Sequence, residues 1–234
     1  MKEISLFVPI YNGEKSLKNL KKIHSFLCER FDYFELFFVN DSSTDNTEKL
    51  LEELRLNNSS VLNFRNGPSR RENLGLAMQN AKYSITGFID LDLSADISYI
   101  KDLFQEIYCG QTDIAIGSRY KGITPQRNLF RKVISLIYNI FMRIYFRSNI
   151  SDHQCGLKVF RTDLLMLLLT ELKYDYSFRR GWFWDAELLI RAQRKQLRIS
   201  EVPVEWQEGE KSTFRLLREL KMIPYVLALR FRLQ

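Results

Sequence analysis

The residues best suited to chemistry in this 234-residue chain are carboxylates and arginines at the ends of apolar runs. Gly87-Phe88-Ile89-Asp90-Leu91-Asp92-Leu93 closes on two aspartates one residue apart. In an extended strand alternate side chains share a face, so Asp90 and Asp92 are expected to point the same way where the run leaves the core. Two such carboxylates repel unless a cation sits between them, and a divalent ion carrying a diphosphate meets that need; the plainer reading is a strand followed by an acidic turn. Asp41, after the run Phe34-Glu35-Leu36-Phe37-Phe38-Val39, can accept from the N3–H of uracil or the N–H groups of guanine, or simply cap the next helix. Arg70 and Arg71 precede a helix and could stand by donor phosphates or be ordinary exposed arginines. Arg119 ends another strand, and Arg127 and Arg131 lie four apart on one helical face, so the three could form a forked site for a second phosphate. Asp185 and Glu187 open a helix, where the dipole favours carboxylates in any case. The aromatic cluster Trp182, Phe183 and Trp184 beside them points to a sugar or lipid contact. His24 and His153 are too few and too far apart for a metal site or a triad.

These groups need a frame, and the first half of the chain supplies one by alternation. Strands are expected at residues 4–10, 34–39, 61–64 and 87–93, and helices at 16–30, 47–56 and 71–82. Short strand-to-helix connections imply a parallel, doubly wound sheet whose ligands bind beyond the carboxyl ends of the strands. Asp41 and the Asp90/Asp92 pair both fall at such ends. A helix at 97–108 and a strand at 113–120 follow, then a long helix at 128–147. Its apolar residues Leu129, Val133, Leu136, Ile137, Ile140, Phe141 and Ile144 form a broad stripe, and its charges, with Arg127 just before it, are all basic: Arg131, Lys132, Arg143 and Arg147. That pattern suits either a helix lying in a membrane interface or one packed on the sheet with solvated arginines. Residues 211–234 repeat it, with Lys211, Arg215, Arg218, Lys221, Arg230 and Arg232 against the single acid Glu219. Two such stretches favour binding to an anionic lipid surface.

Composition narrows the field. Hydrophobic residues make up 45% of the chain, enough for a sizeable core. The formal net charge of +7 implies an anionic partner. Nucleic acid is disfavoured as that partner, because no basic helix lacks a broad apolar face and no nucleic-acid-binding motif is present. Three widely spaced cysteines, Cys28, Cys109 and Cys155, form no Cys-x-x-Cys pair, which argues for reduced thiols in a cytoplasmic protein. No signal peptide is evident, and no segment reaches the roughly 18 to 20 apolar residues that span a bilayer.

Taken in order, Val8-Pro9-Ile10-Tyr11-Asn12-Gly13-Glu14, Val39-Asn40-Asp41-Ser42-Ser43-Thr44-Asp45-Asn46-Thr47, Asp90-Leu91-Asp92-Leu93 and Ile116-Gly117-Ser118-Arg119-Tyr120 resemble the family-2 glycosyltransferases of GT-A fold. Asp152-His153-Gln154-Cys155-Gly156-Leu157-Lys158-Val159-Phe160, Trp184-Asp185-Ala186-Glu187-Leu188-Leu189 and Glu201-Val202-Pro203-Val204-Glu205-Trp206 are similar to dolichyl-phosphate β-glucosyltransferases and, more loosely, to dolichyl-phosphate mannose synthases. The resemblance covers nearly the whole chain. It implies an α/β GT-A (Rossmann-like) fold, with a mixed, mostly parallel sheet flanked by helices and with C-terminal amphipathic helices. The catalytic domain would occupy residues 1–210, with a nucleotide-binding half (1–95) and an acceptor half (96–210), and residues 211–234 would be a membrane-associating segment.

The resemblance further implies that Pro9, Tyr11, Asn12 and Glu14 line the nucleoside pocket, that Asp41 reads the base, and that Arg70, Arg71 and Leu91 lie along the nucleotide-sugar. Asp92 would be the principal ligand of Mn2+ or Mg2+ and Asp90 a supporting one. Arg119, Arg127 and Arg131 would hold the acceptor phosphate, and Trp184, Asp185 and Glu187 would touch sugar or acceptor. Lys211 and Ser212 would belong to a loop closing over the diphosphate. The chain departs from the family pattern at Asn40 and Ser42, where Asp and Gly are usual, and at Ser94, where mannose synthases often carry Gln. The implied activity is metal-dependent, inverting transfer from a nucleotide-diphosphate sugar, UDP rather than GDP, to a polyprenyl or dolichyl phosphate. The enzyme would sit peripherally on the cytoplasmic face of a membrane. The rival expectation is a soluble transferase acting on a saccharide acceptor.

Overall fold

A computed structural model describes residues 1–69, 71–121, 129–174, 180–207 and 220–233, without the side chains of residues 129–131, 182 and 220. Its first half follows the expected alternation: β1 (Glu3–Ile10), α1 (Lys18–Arg30), β2 (Tyr33–Asp41), α2 (Thr47–Glu53), β3 (Ser59–Phe64), α3 (Glu72–Met78) and β4 (Ile85–Ile89). The second half contains α4 (Tyr99–Tyr108), β5 (Ile114–Ser118), α5 (Leu129–Phe146), β6 (Leu157–Arg161), α6 (Thr162–Leu172), α7 (Trp184–Arg194), β7 (Ile199–Pro203) and α8 (Ile223–Arg232). The strands form one sheet in the order β3-β2-β1-β4-β6-β5-β7. All neighbours are parallel except β6, which runs antiparallel to both β4 and β5. The mixed, mostly parallel sheet is therefore present.

Apolar residues cover both faces of the sheet, as parallel strands require. One layer gathers Leu20, Ile23 and Leu27 of α1 and Leu103 and Phe104 of α4 against Leu6, Val8, Leu36 and Phe38. The opposite layer gathers Leu74 of α3, Leu165 and Leu168 of α6, and Trp184 and Leu188 of α7 against Phe7, Phe88 and Phe160. A third, smaller cluster joins α5, α7 and α8 through Met142, Phe146, Phe183, Ala186, Ile190, Val226 and Leu229. α8 is thus docked on the body of the molecule.

Two departures from the sequence reading bear on the site. β4 stops at Ile89, so Asp90 and Asp92 do not alternate along a strand. They occupy a tight turn in which the Leu93 N–H donates to the Asp90 carbonyl (3.1 Å) and Leu93 adopts a left-handed conformation, φ +52°. The long helix α5 turns Ser135 and Asn139 inward together with Met142 and Phe146, while Val133, Leu136, Ile137, Ile140, Phe141 and Ile144 face solvent. Among the described residues no helix is long and apolar enough to cross a membrane.

Candidate active site

β1 is flanked by β2 on one side and β4 on the other, so the chain leaves it in opposite directions and a crevice opens beyond its carboxyl end. The loop after β1 forms one wall. Asn12, at φ +50°, accepts from the Thr44 N–H (2.8 Å), and its own N–H donates to Ser43 Oγ (2.9 Å). The Gly13 N–H donates to Thr47 Oγ1 (2.9 Å), and Asn46 Nδ2 donates to Glu14 Oε1 (3.2 Å). These bonds fix the β1 and β2 loops together and leave Tyr11, Asn12 and Glu14 on an exposed rim beside half-buried Pro9.

Asp41, the last residue of β2, is 7% exposed. Its carboxylate accepts from the Ser69 N–H (2.9 and 3.0 Å), from Ser69 Oγ–H (2.8 Å) and from Asn73 Nδ2 (2.6 Å). Burial pushes its pKa up, against the lowering by those hydrogen bonds. It clamps the β2 end to the start of α3. α2 has no side-chain cap at its N-cap residue Asn46; Asp45, one residue before it, accepts at Oδ1 from the Thr47 N–H (3.0 Å).

The Asp90–Leu93 turn is gripped from several directions. Leu91 is buried against Ile10 and Gly13, and its carbonyl accepts from Asn19 Nδ2 (3.0 Å). The Asp90 N–H donates to the Gly156 carbonyl (2.9 Å), where β6 begins beside the end of β4. The Asp90 carboxylate meets Arg71 Nη2 at 2.8 Å, and Arg71 Nε reaches Asp185 Oδ2 at 3.1 Å. Asp185 Oδ1 in turn pairs with Lys158 Nζ at 3.0 Å, a lysine of β6 with no exposed surface. Burial would raise the Asp185 pKa, but Lys158 and Arg71 hold it below the usual carboxylate range. Burial raises the Asp90 pKa, Arg71 opposes it and Asp92 adds to it. Two cations and two carboxylates therefore balance within this chain. Asp92 stands outside it, exposed, with Oδ1 accepting only the Ser94 N–H (3.0 Å) among the hydrogen bonds of the described residues. An exposed, uncompensated carboxylate at a fixed turn suits a hard divalent ion. Among the described residues no three His, Cys, Asp or Glu side chains converge to hold a metal by themselves.

Of the three arginines expected together, the structure describes the surroundings of Arg119. Arg119 is 4% exposed, and its Nε and Nη2 bind both oxygens of Asp152 at 2.6 Å. Burial would raise Asp152, yet the guanidinium holds it below its ordinary value. A bidentate buried pair has its charge balanced already, so Arg119 braces the site and is not its free cation. Its guanidinium stacks 4.8 Å over Trp206, and the adjoining Gln207 N–H donates to the Ser94 carbonyl (2.8 Å), so this segment ties Arg119 to the Asp92 turn. Trp184 is likewise in the core, where a Cβ on Gly75 would lie 3.0 Å from its Cζ2. Glu187 is fully buried, bound by Arg191 (2.7 Å) and by the hydroxyl of Tyr225 in α8 (2.8 Å). With Asp185 these side chains are buried among partners of the chain itself. Arg70, Arg127, Lys211 and Ser212 lie outside the described residues, as does the side chain of Arg131.

Sequence reasoning missed Lys158, Asp152 and Gly156 as parts of the site. Lys158 carried a signal: a lone cation within Gly156-Leu157-Lys158-Val159-Phe160 must find a buried carboxylate. Gly156 carried none, because its need arises from tertiary contact; a Cβ there would fall 1.9 Å from Asp90 Oδ2.

Comparison with known proteins bears on the family and the fold. The profile of Glycosyl transferase family 2 matches residues 5–169. Glycosyltransferase AglD of Haloferax volcanii is 29% identical over 93% of the chain, which spans only 35% of that protein's length. Dolichyl-phosphate beta-glucosyltransferase of Saccharomyces cerevisiae is 28% identical over 91% of the chain and 69% of its own length. The solved structure of glucosyl-3-phosphoglycerate synthase from Mycobacterium tuberculosis, in complex with Mn2+ and UDP-glucose, superposes with a TM-score of 0.65 at 16% identity, covering 97% of this chain and 78% of that one. The shared fold is GT-A.

Proposed function

We propose, from the premise that this chain belongs to glycosyl transferase family 2, that it transfers a sugar from a UDP-sugar to a polyprenyl or dolichyl phosphate, with Mn2+ or Mg2+ held at Asp92. The observation that carries the donor side is the exposed Asp92 carboxylate beside a charge-balanced Asp90–Arg71–Asp185–Lys158 chain. Tyr11, Asn12 and Glu14 would receive the nucleoside, and residues 1–95 would form the donor half of the enzyme. A divalent ion supplies charge neutralisation as the diphosphate departs. Arg71 fixes the turn that presents Asp92, and Leu91 with Asn19 fixes its height above the sheet. The acceptor phosphate is anionic at neutral pH and needs positioning more than deprotonation, which suits a site with arginines and no general base. Arg127 and Arg131 would supply the free cations that Arg119 does not. Single displacement then inverts the anomeric carbon. Similarity to dolichyl-phosphate beta-glucosyltransferases supports the lipid acceptor, and a peripheral position at the cytoplasmic face of a membrane belongs to the same proposal.

The test is a screen of radiolabelled UDP- and GDP-sugars with a short polyprenyl phosphate and either metal, reading label extracted into organic solvent. Label transferred from a UDP-sugar, and lost in Asp92→Asn by about a hundredfold or more, is expected. Transfer to a free saccharide with none to lipid phosphate would establish the rival acceptor instead.

A further inference from the structure

The outward face of α5 is built the wrong way round for a helix in water. Val133, Leu136, Ile137, Ile140, Phe141 and Ile144 are each at least 40% exposed, and Ile137 and Ile144 reach 61% and 73%. Their spacing of three and four residues places them on one face, while the face turned inward holds Ser135 and Asn139, at 6% and 2% exposure, together with Met142 and Phe146. The inward polar groups are satisfied: Asn139 Nδ2 donates to the Ser135 carbonyl, and Asn139 Oδ1 accepts from the His153 N–H (3.0 Å). The fold therefore fixes the apolar stripe outward.

α8 extends the same surface. The Tyr145 hydroxyl donates to the Leu227 carbonyl (2.9 Å), the Tyr145 ring stacks on Phe141 at 5.2 Å, and Arg230 lies 4.9 Å over the other aromatic contact of this row, the Tyr145 ring. Leu227 and Phe231 add exposures of 43% and 72%. Neither helix contains an acidic residue; Lys132, Arg143, Arg230 and Arg232 are their charges besides Arg131, and Arg147 follows α5 directly. At 100° per residue Lys132 and Arg143 fall along one edge of the α5 stripe, and Arg230 stands by its other edge on Tyr145.

We infer that the joint α5–α8 face seats on an anionic lipid bilayer, with Ile137, Ile144 and Phe231 entering the acyl boundary and the flanking cations meeting lipid phosphates. The charges choose this occupant over a second copy of the chain, since two such faces brought together would set cations against cations. The inference adds a surface to the proposed lipid acceptor and rests on that reading for its purpose alone.

The experiment uses vesicles of phosphatidylcholine with and without phosphatidylserine, free of polyprenyl phosphate, so binding is read independently of any transfer. The protein is expected to co-sediment with the anionic vesicles, less with the neutral ones, and to be released by salt. Ile137→Glu with Ile144→Glu should weaken that binding by roughly tenfold or more. Phe231→Ser, on the other helix, gives a separate reading with a smaller loss in the same direction. Mn2+-dependent UDP binding, measured on the same samples, should be unchanged and reports whether the fold and donor site persist. Wild-type protein that ignores anionic vesicles, or variants that bind them as tightly as wild type, would overturn the inference. So would a wild-type dimer in sedimentation velocity that the same variants convert to monomer, because the face would then belong to a second copy.

Discussion

At the scale of single residues, the site depends on side chains whose task is to hold others. Gly156 is the clearest case, since Asp90 occupies the space that any side chain there would need. Gly156→Ala should destabilise the fold by about 1–3 kcal/mol in urea unfolding, the usual cost of overpacking, and weaken Mn2+-dependent UDP binding. The loss should shrink when Asp90→Ala is added, because the colliding group is gone. His153 gives a second prediction. Burial pushes its pKa down to about 4, between Ser148 Oγ (2.9 Å) and Asn139 Oδ1 (2.8 Å). The unfolded chain binds a proton near pH 6.5 and the native chain does not, so this residue costs stability progressively as pH falls from about 6.5 to 4, by about 3 kcal/mol in all. Thermal melts across that window should show the decline, and His153→Gln should flatten it.

At the scale of elements, what could be read in advance was whatever local pattern dictates. The β-α alternation through β4 followed from apolar runs broken by turn residues, and Asp41 was placed correctly at the end of β2. The role of Asp41 was not legible, because Ser69 and Asn73 approach it from 28 and 32 residues away. The same holds for Arg119, whose partner Asp152 lies 33 residues on, and for Asp185, whose partners lie 27 and 114 residues back. Charged residues at strand ends advertise a site, but only the fold reveals which charges are already spoken for. α8 shows the opposite case: its sequence resembles a free amphipathic tail, yet Tyr225 donates to buried Glu187 and Val226 and Leu229 enter the core. Tyr225→Phe should cost about 1–2 kcal/mol in chemical unfolding, the price of a lost bond to a buried carboxylate.

At the scale of the whole molecule, the proposed donor site turns on one exposed carboxylate, Asp92. Asp92 is exposed and no metal-holding group of three side chains exists among the described residues. Metal and nucleotide should therefore bind as a pair. Mn2+ alone should leave the melting temperature unchanged, UDP alone should move it little, and the two together should raise it; at a hundredfold excess over Kd the gain is about 2.7 kcal/mol. EDTA should reverse that gain while leaving the apoprotein's melt where it was. A large Mn2+ effect without UDP would point to a protein-built cage.

The inward side of α5 has one more consequence. Asn139 is bonded to His153, and His153 adjoins Asp152, which holds Arg119 from its backbone N–H to its guanidinium. The face proposed to meet lipid and the buried Arg119–Asp152 pair are thus linked through one hydrogen-bonded layer. If the proposed face seats on lipid, side-chain packing would set the height of Arg119 above the headgroups. A lipid-linked substrate diffusing in the leaflet would meet the pocket at a constant height, so the encounter becomes a planar search in which only lateral position remains to be found.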